Sequence, residues 1–554
     1  MSSDIDIARM ATMQPIQNMA TKMGIDLDDL ELYGKYKAKI PLKYSQMPSR
    51  GKLILVSAIS PTPAGEGKTT VSIGLSQALC RLGHQSTVVL REPSLGPVFG
   101  IKGGATGGGH SQVLPMEDIN LHFTGDFAAI EKAHNLLAAL IDNNLQSKTR
   151  SLLLDPRTIS WRRVMDMNDR SLRSIIAGLG GTSSGVPRET GFDITAASEV
   201  MAILCLAENI TDLKERLGNI FVGYTYDKKP IYARELKANG AMAALLREAI
   251  KPNIVQTLEG TPAIVHGGPF ANIAQGTNTV VATKTSLALS DYTVTEAGFG
   301  FDLGAEKFLD IKSRAAGLSP NAVVLVATVR ALKYHGGQPI KELKTPDIEA
   351  LKRGIVNLQK HIENIGLFNL TPVVAVNRFE SDAPQETEFI RDYCQQHGVL
   401  CSVVDVWAKG GEGALELAEM VAQVANNCCH KFHPLYELNE TVEKKIETIA
   451  KKIYGAQAVD YTPKAKAHLE KIEHLGLTGL AICMAKTQKS LSDNPELLGR
   501  PKDFVITVRA IEIACGAGFL IPITGEIMRM PGLPETPASE RMDIDENGNI
   551  TGLF

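Results

Sequence analysis

The sequence lacks an excess of charge of either sign. Lys and Arg total 58 while Asp and Glu total 61, which leaves a formal net charge of −3. A protein that tracks a nucleic-acid backbone needs a basic patch or stripe, and this balance predicts none in bulk. We therefore expect no nucleic acid among the partners.

The sequence also lacks Cys-x-x-Cys pairs and long apolar runs. The spacing of its 8 cysteines excludes a zinc ribbon or a thioredoxin-like redox motif and favours reduced core thiols. The longest uncharged run, residues 260–283, is rich in Gly, Asn and Gln, which argues against a membrane span. The opening MSSDIDIARM lacks the basic and apolar regions of a signal peptide. We expect a cytoplasmic protein that makes no membrane contact.

Short β-rich apolar runs alternate with helical patterns along most of the chain. The clearest runs are KLILVSAI (52–59), STVVLRE (86–92), YTVTEAG (292–298), AVVLVATVRA (322–331), TPVVAVNRF (371–379) and CSVVDVWAKGG (401–411). This alternation predicts an α/β fold with a mainly parallel sheet that is covered by helices on both faces. In such folds ligands bind at the carboxyl ends of the strands.

The stretch SPTPAGEGKTT (60–70) resembles a Walker A phosphate-binding loop, GxxxxGK[ST]. The residues in this frame are Thr62, Pro63, Ala64, Gly65, Glu66, Gly67, Lys68 and Thr69. A predicted strand precedes the loop and a predicted helix follows it, as the motif requires, although Thr62 stands at the position of the first Gly. Lys68 can reach the β- and γ-phosphates of ATP, and the Thr69 hydroxyl can hold Mg²⁺. The alternative is an ordinary glycine turn.

A second glycine-rich segment, GIKGGATGGGH (100–110), follows the next predicted strand. We favour close packing of its backbone against a ligand over a flexible loop. Arg91 ends the preceding strand, where a guanidinium can hold a carboxylate or a phosphate. The alternative for Arg91 is a surface charge.

Longer motifs extend over almost the whole chain in the order of a known family. They are YGKYKAKI (33–40), TPAGEGKTT (62–70), REPSLGPVFGIKGGATGGGHSQVLPMEDINLHFTGD (91–126), WRRVMDMNDRSLR (161–173), GFDITAASEVMAILCLA (191–207), VATVRALKYHGG (326–337) and GAGFLIPITGEIMRMPGLP (516–534). On these motifs the sequence resembles formate–tetrahydrofolate ligase of the single-function bacterial type. It departs from the usual family pattern at Thr106, His110 and Lys489.

The resemblance implies an ATP-dependent ligase of one-carbon metabolism. Formate, ATP and tetrahydrofolate would give 10-formyltetrahydrofolate, ADP and phosphate. Formate is a poor acyl donor because oxide is a poor leaving group, so its conversion to formyl phosphate would allow attack by N10 of the folate. The family further implies Mg²⁺ with ATP, a monovalent cation (K⁺ or NH₄⁺) and a homotetramer.

The resemblance also implies roles for single residues. Lys68 would stabilise the transferring phosphoryl group, and Arg91 would contact formate and formyl phosphate. Asp126, in HFTGD, would orient or deprotonate N10, with a helix N-cap as the open alternative. Glu296 resembles the acidic residue that organises Mg²⁺ in other phosphate-loop proteins, with a structural acid as the alternative.

Phe379 and Trp407 are the candidate folate-binding residues. The residues alone favour core aromatics, although each follows a predicted strand. In the family, aromatics at these positions flank the folate, so the resemblance implies that the two side chains stack on the pterin.

We predict three domains from the length of 554 residues and from polar or lysine-rich stretches at 334–347 and 439–455. A P-loop nucleotide-binding core with the formate site would span 1–362. A smaller α/β domain with the folate-binding aromatics would span 363–455, and a C-terminal α/β domain would span 456–554.

Two other classes of function carry a similar glycine loop. A P-loop switch or partitioning ATPase would need a partner surface, often a membrane helix or an intersubunit Cys-x-x-Cys, and the sequence shows neither. Another ATP-dependent carboxylate ligase, of the dethiobiotin synthetase kind, is much shorter and would leave over half of this chain unused.

Overall fold

The computed structural model describes residues 3–102, 106–428 and 431–553. Its β-strands are, in chain order, β1 (Glu31–Leu32), β2 (Ala38–Lys39), β3 (Lys52–Ala58), β4 (Ser86–Leu90), β5 (Gly107–Gly108), β6 (Ser111–Leu114), β7 (Arg163–Met165), β8 (Ile175–Ala177), β9 (Arg188–Thr190), β10 (Phe192–Ile194), β11 (Phe221–Tyr224), β12 (Pro230–Tyr232), β13 (Asn253–Thr257), β14 (Pro262–Val265), β15 (Tyr292–Glu296), β16 (Ala322–Ala327), β17 (Pro372–Asn377), β18 (Leu400–Val404), β19 (Ala458–Tyr461), β20 (Ala481–Ile482), β21 (Val505–Ala514), β22 (Phe519–Thr524), β23 (Asp543–Ile544) and β24 (Ile550–Thr551).

The α-helices connect these strands or pack on the sheets. In chain order they are α1 (Asp4–Met10), α2 (Ile16–Met23), α3 (Lys68–Arg81), α4 (Leu95–Pro97), α5 (Met116–Asn120), α6 (Asp126–Gln146), α7 (Glu199–Leu206), α8 (Ile210–Gly218), α9 (Asn239–Leu245), α10 (Val280–Leu289), α11 (Arg314–Ala316), α12 (Val329–His335), α13 (Ile348–Gly366), α14 (Pro384–Gln396), α15 (Val406–Lys409), α16 (Leu415–Asn426), α17 (Val442–Ile449) and α18 (Pro463–His474). None of the described helices is long and apolar enough to cross a bilayer.

The largest sheet is mainly parallel, as the sequence predicts. Its spatial order is β1-β2-β13-β14-β4-β15-β3-β16-β17-β18. The strands from β14 to β18 in this order run parallel, whereas β1, β2 and β13 form an antiparallel edge. β15 therefore separates β3 from β4, although it follows both in the chain.

The central strand β3 shows that helices cover both faces of this sheet. Leu53 and Leu55 belong to one hydrophobic core. The alternate residues Ile54 and Val56 belong to a second core, which also contains apolar residues of α3 and α16. A strand that is buried on both faces reads as a continuous apolar run, and this explains the sequence KLILVSAI.

Two of the predicted strand runs are too long at their carboxyl ends. β16 ends at Ala327, and α12 begins two residues later. Thr328 is the N-cap of α12 because its side chain accepts a hydrogen bond from the backbone N–H of Ala331 at 3.0 Å. β18 likewise ends at Val404 and α15 follows at Val406. An N-cap residue marks the start of a helix. Here Thr328 lies inside an apolar run, so the run hides the point at which the strand ends and the helix begins.

The strands of the predicted middle domain extend the large sheet. The expected boundary at 362/363 falls within α13, and the strands on either side of it, β16 and β17, pair in parallel. The polar stretch 334–347 connects two helices that pack together, α12 and α13. The C-terminal segment has a separate sheet of order β19-β21-β22-β20. The division into three domains stays a prediction.

The C-terminal segment contacts the core at the start of α7. The Oε1 atom of Glu199 accepts hydrogen bonds from the backbone N–H groups of Gly516, at 2.8 Å, and Ala517, at 3.3 Å. Burial raises the pKa of Glu199 from 4.5 to about 7, although these two hydrogen bonds oppose the shift. The unfolded chain thus loses this proton at a lower pH than the folded protein does. The free energy of unfolding therefore falls as the pH rises between these two pKa values.

We expect Glu199→Gln to raise the free energy of unfolding by about 3 kcal/mol near pH 8 and to change it little near pH 4.5. The amide oxygen still accepts both hydrogen bonds, while the cost of ionising a buried carboxyl disappears. Urea unfolding at the two pH values measures the difference, with the exposed Glu470→Gln as the control. An equal gain at both pH values would contradict the assigned titration.

Candidate active site

The glycine loop lies between β3 and α3 at the carboxyl edge of the large sheet. Gly65 and Gly67 have φ angles of 80° and 71°, in a region that favours glycine. A Cβ atom on Gly67 would lie 2.4 Å from Nδ2 of Asn377, so this glycine also permits a close approach. Lys68 is the first residue of α3, where the first N–H groups of a helix and its dipole favour an anion.

The side chain of Glu66 explains the threonine at the position of the first glycine. Its Oε1 atom accepts hydrogen bonds from the Thr62 backbone N–H, at 2.7 Å, and from the Thr62 hydroxyl, at 2.9 Å. Its Oε2 atom accepts a hydrogen bond from the Thr328 hydroxyl. The Glu66 carboxylate is buried, and its hydrogen bonds connect the start of the glycine loop to Thr328. A glycine at position 62 could not supply the second of these donors.

Three of the predicted site residues meet where the start of α3 lies beside two neighbouring strand ends. The Thr69 hydroxyl donates a hydrogen bond to Glu296 Oε2 at 2.8 Å. The other oxygen of Glu296, Oε1, lies 4.0 Å from Nη2 of Arg91. These residues are far apart in the chain, but β15 pairs with both β3 and β4. The sheet therefore creates one polar cluster of a hydroxyl, a carboxylate and a guanidinium beside the glycine loop.

The guanidinium of Arg91 is oriented by backbone groups. Its Nη1 atom donates to the carbonyl oxygen of Pro269 at 3.2 Å, and a Cβ atom on Gly298 would lie 3.0 Å from Nη1. Within the described ranges its Nε atom is buried without a hydrogen-bond partner. A guanidinium has five N–H donors in a planar fork, a geometry that suits a carboxylate or a phosphate.

The donors at Thr69 and Glu296 are compatible with Mg²⁺, which prefers oxygen ligands. The parts of the chain that the structure describes contain no group of three or more His, Cys, Asp or Glu side chains suited to a metal ion. The two residues thus fit a Mg²⁺ ion that takes its other ligands from nucleotide phosphates and water. They do not form an all-protein metal site.

Asp126 begins α6, and Gly125 occupies the N-cap position, so the N-cap alternative is wrong. Asp126 Oδ1 lies 2.8 Å from Lys39 Nζ, and Oδ2 accepts from Asn253 Nδ2 at 2.7 Å. The lysine and aspartate side chains are both buried. Burial and the nearby Asp126 carboxylate raise the pKa of Glu92 well above its usual range. The role of Asp126 at N10 stays a prediction.

The indole of Trp407 packs on the second glycine-rich segment. A Cβ atom on Gly109 would lie 2.8 Å from Cδ2 of the indole, and one on Gly108 would lie 3.2 Å from Cδ1. The indole N–H donates to Oδ1 of Asp4 at 3.2 Å. With 38% of its surface exposed, Trp407 is not a core side chain, and it retains surface on which a planar ligand can stack.

Gly108 and Gly109 thus approach an aromatic side chain of the protein itself. Gly103 and Gly104, which belong to the same predicted ligand-facing segment, lie outside the described residues. The prediction that this segment contacts a ligand therefore stays open for them.

Phe379 follows β17, and Trp407 follows the neighbouring strand β18. Its ring is half-buried, and the guanidinium carbon of Arg330 lies 3.5 Å from the ring centroid. Its backbone N–H donates to Oδ2 of Asp382 at 2.9 Å. Both candidate aromatics therefore lie at the same sheet edge as the glycine loop.

Sequence reasoning missed three residues that support this site. Asn377 donates from Nδ2 to the Glu66 carbonyl oxygen at 3.1 Å, while Thr328 and Arg330 make the contacts described above. Asn377 ends β17, and Thr328 and Arg330 follow β16. All three fall inside the predicted apolar runs, where a polar residue is the signal that could have marked the carboxyl end of the strand.

A strand, a glycine loop and a helix at the carboxyl edge of a parallel sheet, with lysine, hydroxyl, carboxylate and guanidinium groups nearby, define a class of protein. This arrangement is typical of enzymes that transfer a phosphoryl group. The family model for formate–tetrahydrofolate ligase matches residues 2–554, and the chain belongs to this family. It is accordingly an ATP-dependent carbon–nitrogen ligase of one-carbon metabolism that joins formate to tetrahydrofolate.

Proposed function

We propose that the glycine loop binds the phosphates of ATP and that Arg91 holds formate beside the γ-phosphate. The observation that carries this proposal is the meeting of Thr69, in the first turn of α3 and next to Lys68, with Glu296 and Arg91 at neighbouring strand ends. Thr69 and Glu296 would hold a Mg²⁺ ion, which supplies positive charge to the phosphates. The backbone of residues 62–69 would surround the phosphates, while the Glu66 side chain braces the loop.

The reaction would proceed through formyl phosphate in two displacement steps. A formate oxygen attacks the γ-phosphorus, the bond to the bridging oxygen of ADP breaks, and ADP leaves with its electron pair. N10 of tetrahydrofolate then attacks the formyl carbon, the carbon–oxygen bond to phosphate breaks, and N10 loses its proton. Lys68 and Arg91 would stabilise the negative charge on the phosphoryl oxygens in both steps.

Phe379 and Trp407 would hold the folate by stacking on its pterin. Both lie at the edge where formyl phosphate would form, and stacking on aromatic side chains suits any flat heterocycle. Asp126 would orient or deprotonate N10.

The remaining family properties are also proposals for this chain. We propose a homotetramer that acts in the cytoplasm, with stimulation by K⁺ or NH₄⁺. Sedimentation of the purified protein tests the assembly, and turnover in buffers whose only monovalent cation is K⁺, NH₄⁺ or tetramethylammonium tests the cation.

We expect ADP and 10-formyltetrahydrofolate to form in equal amounts only when formate and tetrahydrofolate are both present with Mg²⁺-ATP. In transfer through formyl phosphate, formate accepts the phosphoryl group and tetrahydrofolate accepts the formyl group, so both substrates are needed for each ATP that is used. Quantifying ADP with the two substrates supplied together and then singly measures this coupling. Steady ATP turnover without either substrate would instead support a nucleotide-driven switch.

A further inference from the structure

The short helix α12 lies between the glycine loop and the candidate folate residue Phe379. At its N-cap, Thr328 donates to the Glu66 carboxylate. In its first turn, the guanidinium carbon of Arg330 lies 3.5 Å from the centroid of the Phe379 ring. This distance is a van der Waals contact, so the guanidinium covers one face of the ring.

The backbone around Phe379 is fixed independently of this contact. The Phe379 N–H donates to Asp382 Oδ2 at 2.9 Å, and the Asp382 N–H donates to the Phe379 carbonyl oxygen at 3.0 Å. These bonds define the turn after β17. They leave the orientation of the ring to the side chains that touch it, and Arg330 is one of these.

Arg330 is itself held by the packing of α12. In the same helix, Lys333 Nζ lies 3.2 Å from Glu386 Oε1, and both side chains are buried. Glu386 Oε2 accepts from the N–H of Ala383, which follows the Phe379 turn. The helix that carries Arg330 is therefore tied to the segment that carries Phe379.

The chemistry of the guanidinium suits contact with a ring. Arg330 Nε is buried and has no hydrogen-bond partner among the residues described. A guanidinium is planar and weakly hydrated, so it stacks on an aromatic face in a way that a lysine ammonium does not. The contact thus occupies one face of Phe379 and leaves only the other face for a ligand.

We propose that Arg330 is a positioning residue for tetrahydrofolate binding. Its guanidinium holds one face of the Phe379 ring, so that the opposite face meets the pterin. The inference rests on the proposed role of Phe379 in folate binding. Arg330 would affect tetrahydrofolate binding through the orientation of the Phe379 ring and would not touch the reacting atoms.

A double-mutant cycle of Arg330→Ala and Phe379→Ala tests this role. We expect Arg330→Ala to raise the Michaelis constant for tetrahydrofolate about threefold to thirtyfold, while the constants for ATP and formate stay within about twofold. Arg330→Lys should recover only part of the loss because its ammonium cannot stack as a plane. In the Phe379→Ala background, Arg330→Ala should add no further loss, because the two side chains act as a unit.

A matched control is Lys471→Ala, which removes a cation that lies 4.6 Å from the Phe221 ring centroid. It should leave all three constants unchanged. If Phe379→Ala leaves the tetrahydrofolate constant unchanged, the proposed folate role of Phe379 is wrong. If Phe379→Ala weakens folate binding, three results would each overturn the role of Arg330. Arg330→Ala alone leaves the tetrahydrofolate constant unchanged, or it raises the constants for all three substrates together. In the third, the losses caused by Arg330→Ala and Phe379→Ala are fully additive in the double mutant. Should Arg330→Ala fail to fold, Arg330→Lys and Arg330→Gln are compared in the same cycle.

Discussion

Lys68→Ala is expected to lower kcat by about a hundredfold or more, as the loss of other electrostatic stabilisers does. The side chain begins α3 beside the glycine loop and is not part of a hydrophobic core. Its ammonium would meet the charge that moves from ATP to formate, so its removal should affect the transition state most. Rates of ADP and 10-formyltetrahydrofolate formation measure the loss, and thermal unfolding checks that the fold survives.

Lys132→Ala is the matched control for Lys68→Ala because it removes an exposed lysine from α6. It should retain full turnover. Near-normal turnover in Lys68→Ala would show that the loop does not bind the phosphate donor.

Truncation of Phe379 or Trp407 to alanine is expected to raise the Michaelis constant for tetrahydrofolate about tenfold to a hundredfold, since stacking on an aromatic contributes about 1–3 kcal/mol per base in nucleic-acid systems. The constants for ATP and formate should change much less. Initial rates at varied concentrations of each substrate separate the three constants. A purely structural role would instead lower thermal stability and affect all three constants alike.

The fluorescence of Trp407 gives a direct test of the same contact. The chain has 2 tryptophans, and the other, Trp161, is buried and stacks on His134 with ring centroids 4.1 Å apart. In a Trp161→Phe background, tetrahydrofolate should quench the remaining emission. Titration with ATP alone serves as the control. The absence of quenching, together with equal shifts of all three constants, would place the folate elsewhere.

The strands and the glycine loop could be predicted because their signals are local. Apolar runs mark the strands that are buried on both faces, and the glycine spacing marks the turn into α3. The meeting of Arg91 and Glu296 could be expected only in part. Both end predicted strands, but the sequence does not show that β15 lies between β3 and β4.

The buried partners of the site could not be predicted, since they come from distant segments. Nothing near Asp126 indicates the ion pair with Lys39, which precedes it by 87 residues. The role of Glu66 depends likewise on Thr328, 262 residues further along the chain. Polar contacts of this kind depend on tertiary packing, which local patterns do not encode.

The position of β15 between β3 and β4 has a consequence for protein synthesis. On the ribosome, β3 emerges long before its two neighbours, β15 and β16, which begin at Tyr292 and Ala322. The strand that leads into the glycine loop then exposes two apolar faces and two unpaired edges while more than half of the chain remains to be made. Because such edges attract other strands, the nascent chain has a long interval in which β3 is open to pairing with strands other than β15 and β16. The cluster of Thr69, Arg91 and Glu296 can form only after that interval, because Glu296 lies at the end of β15.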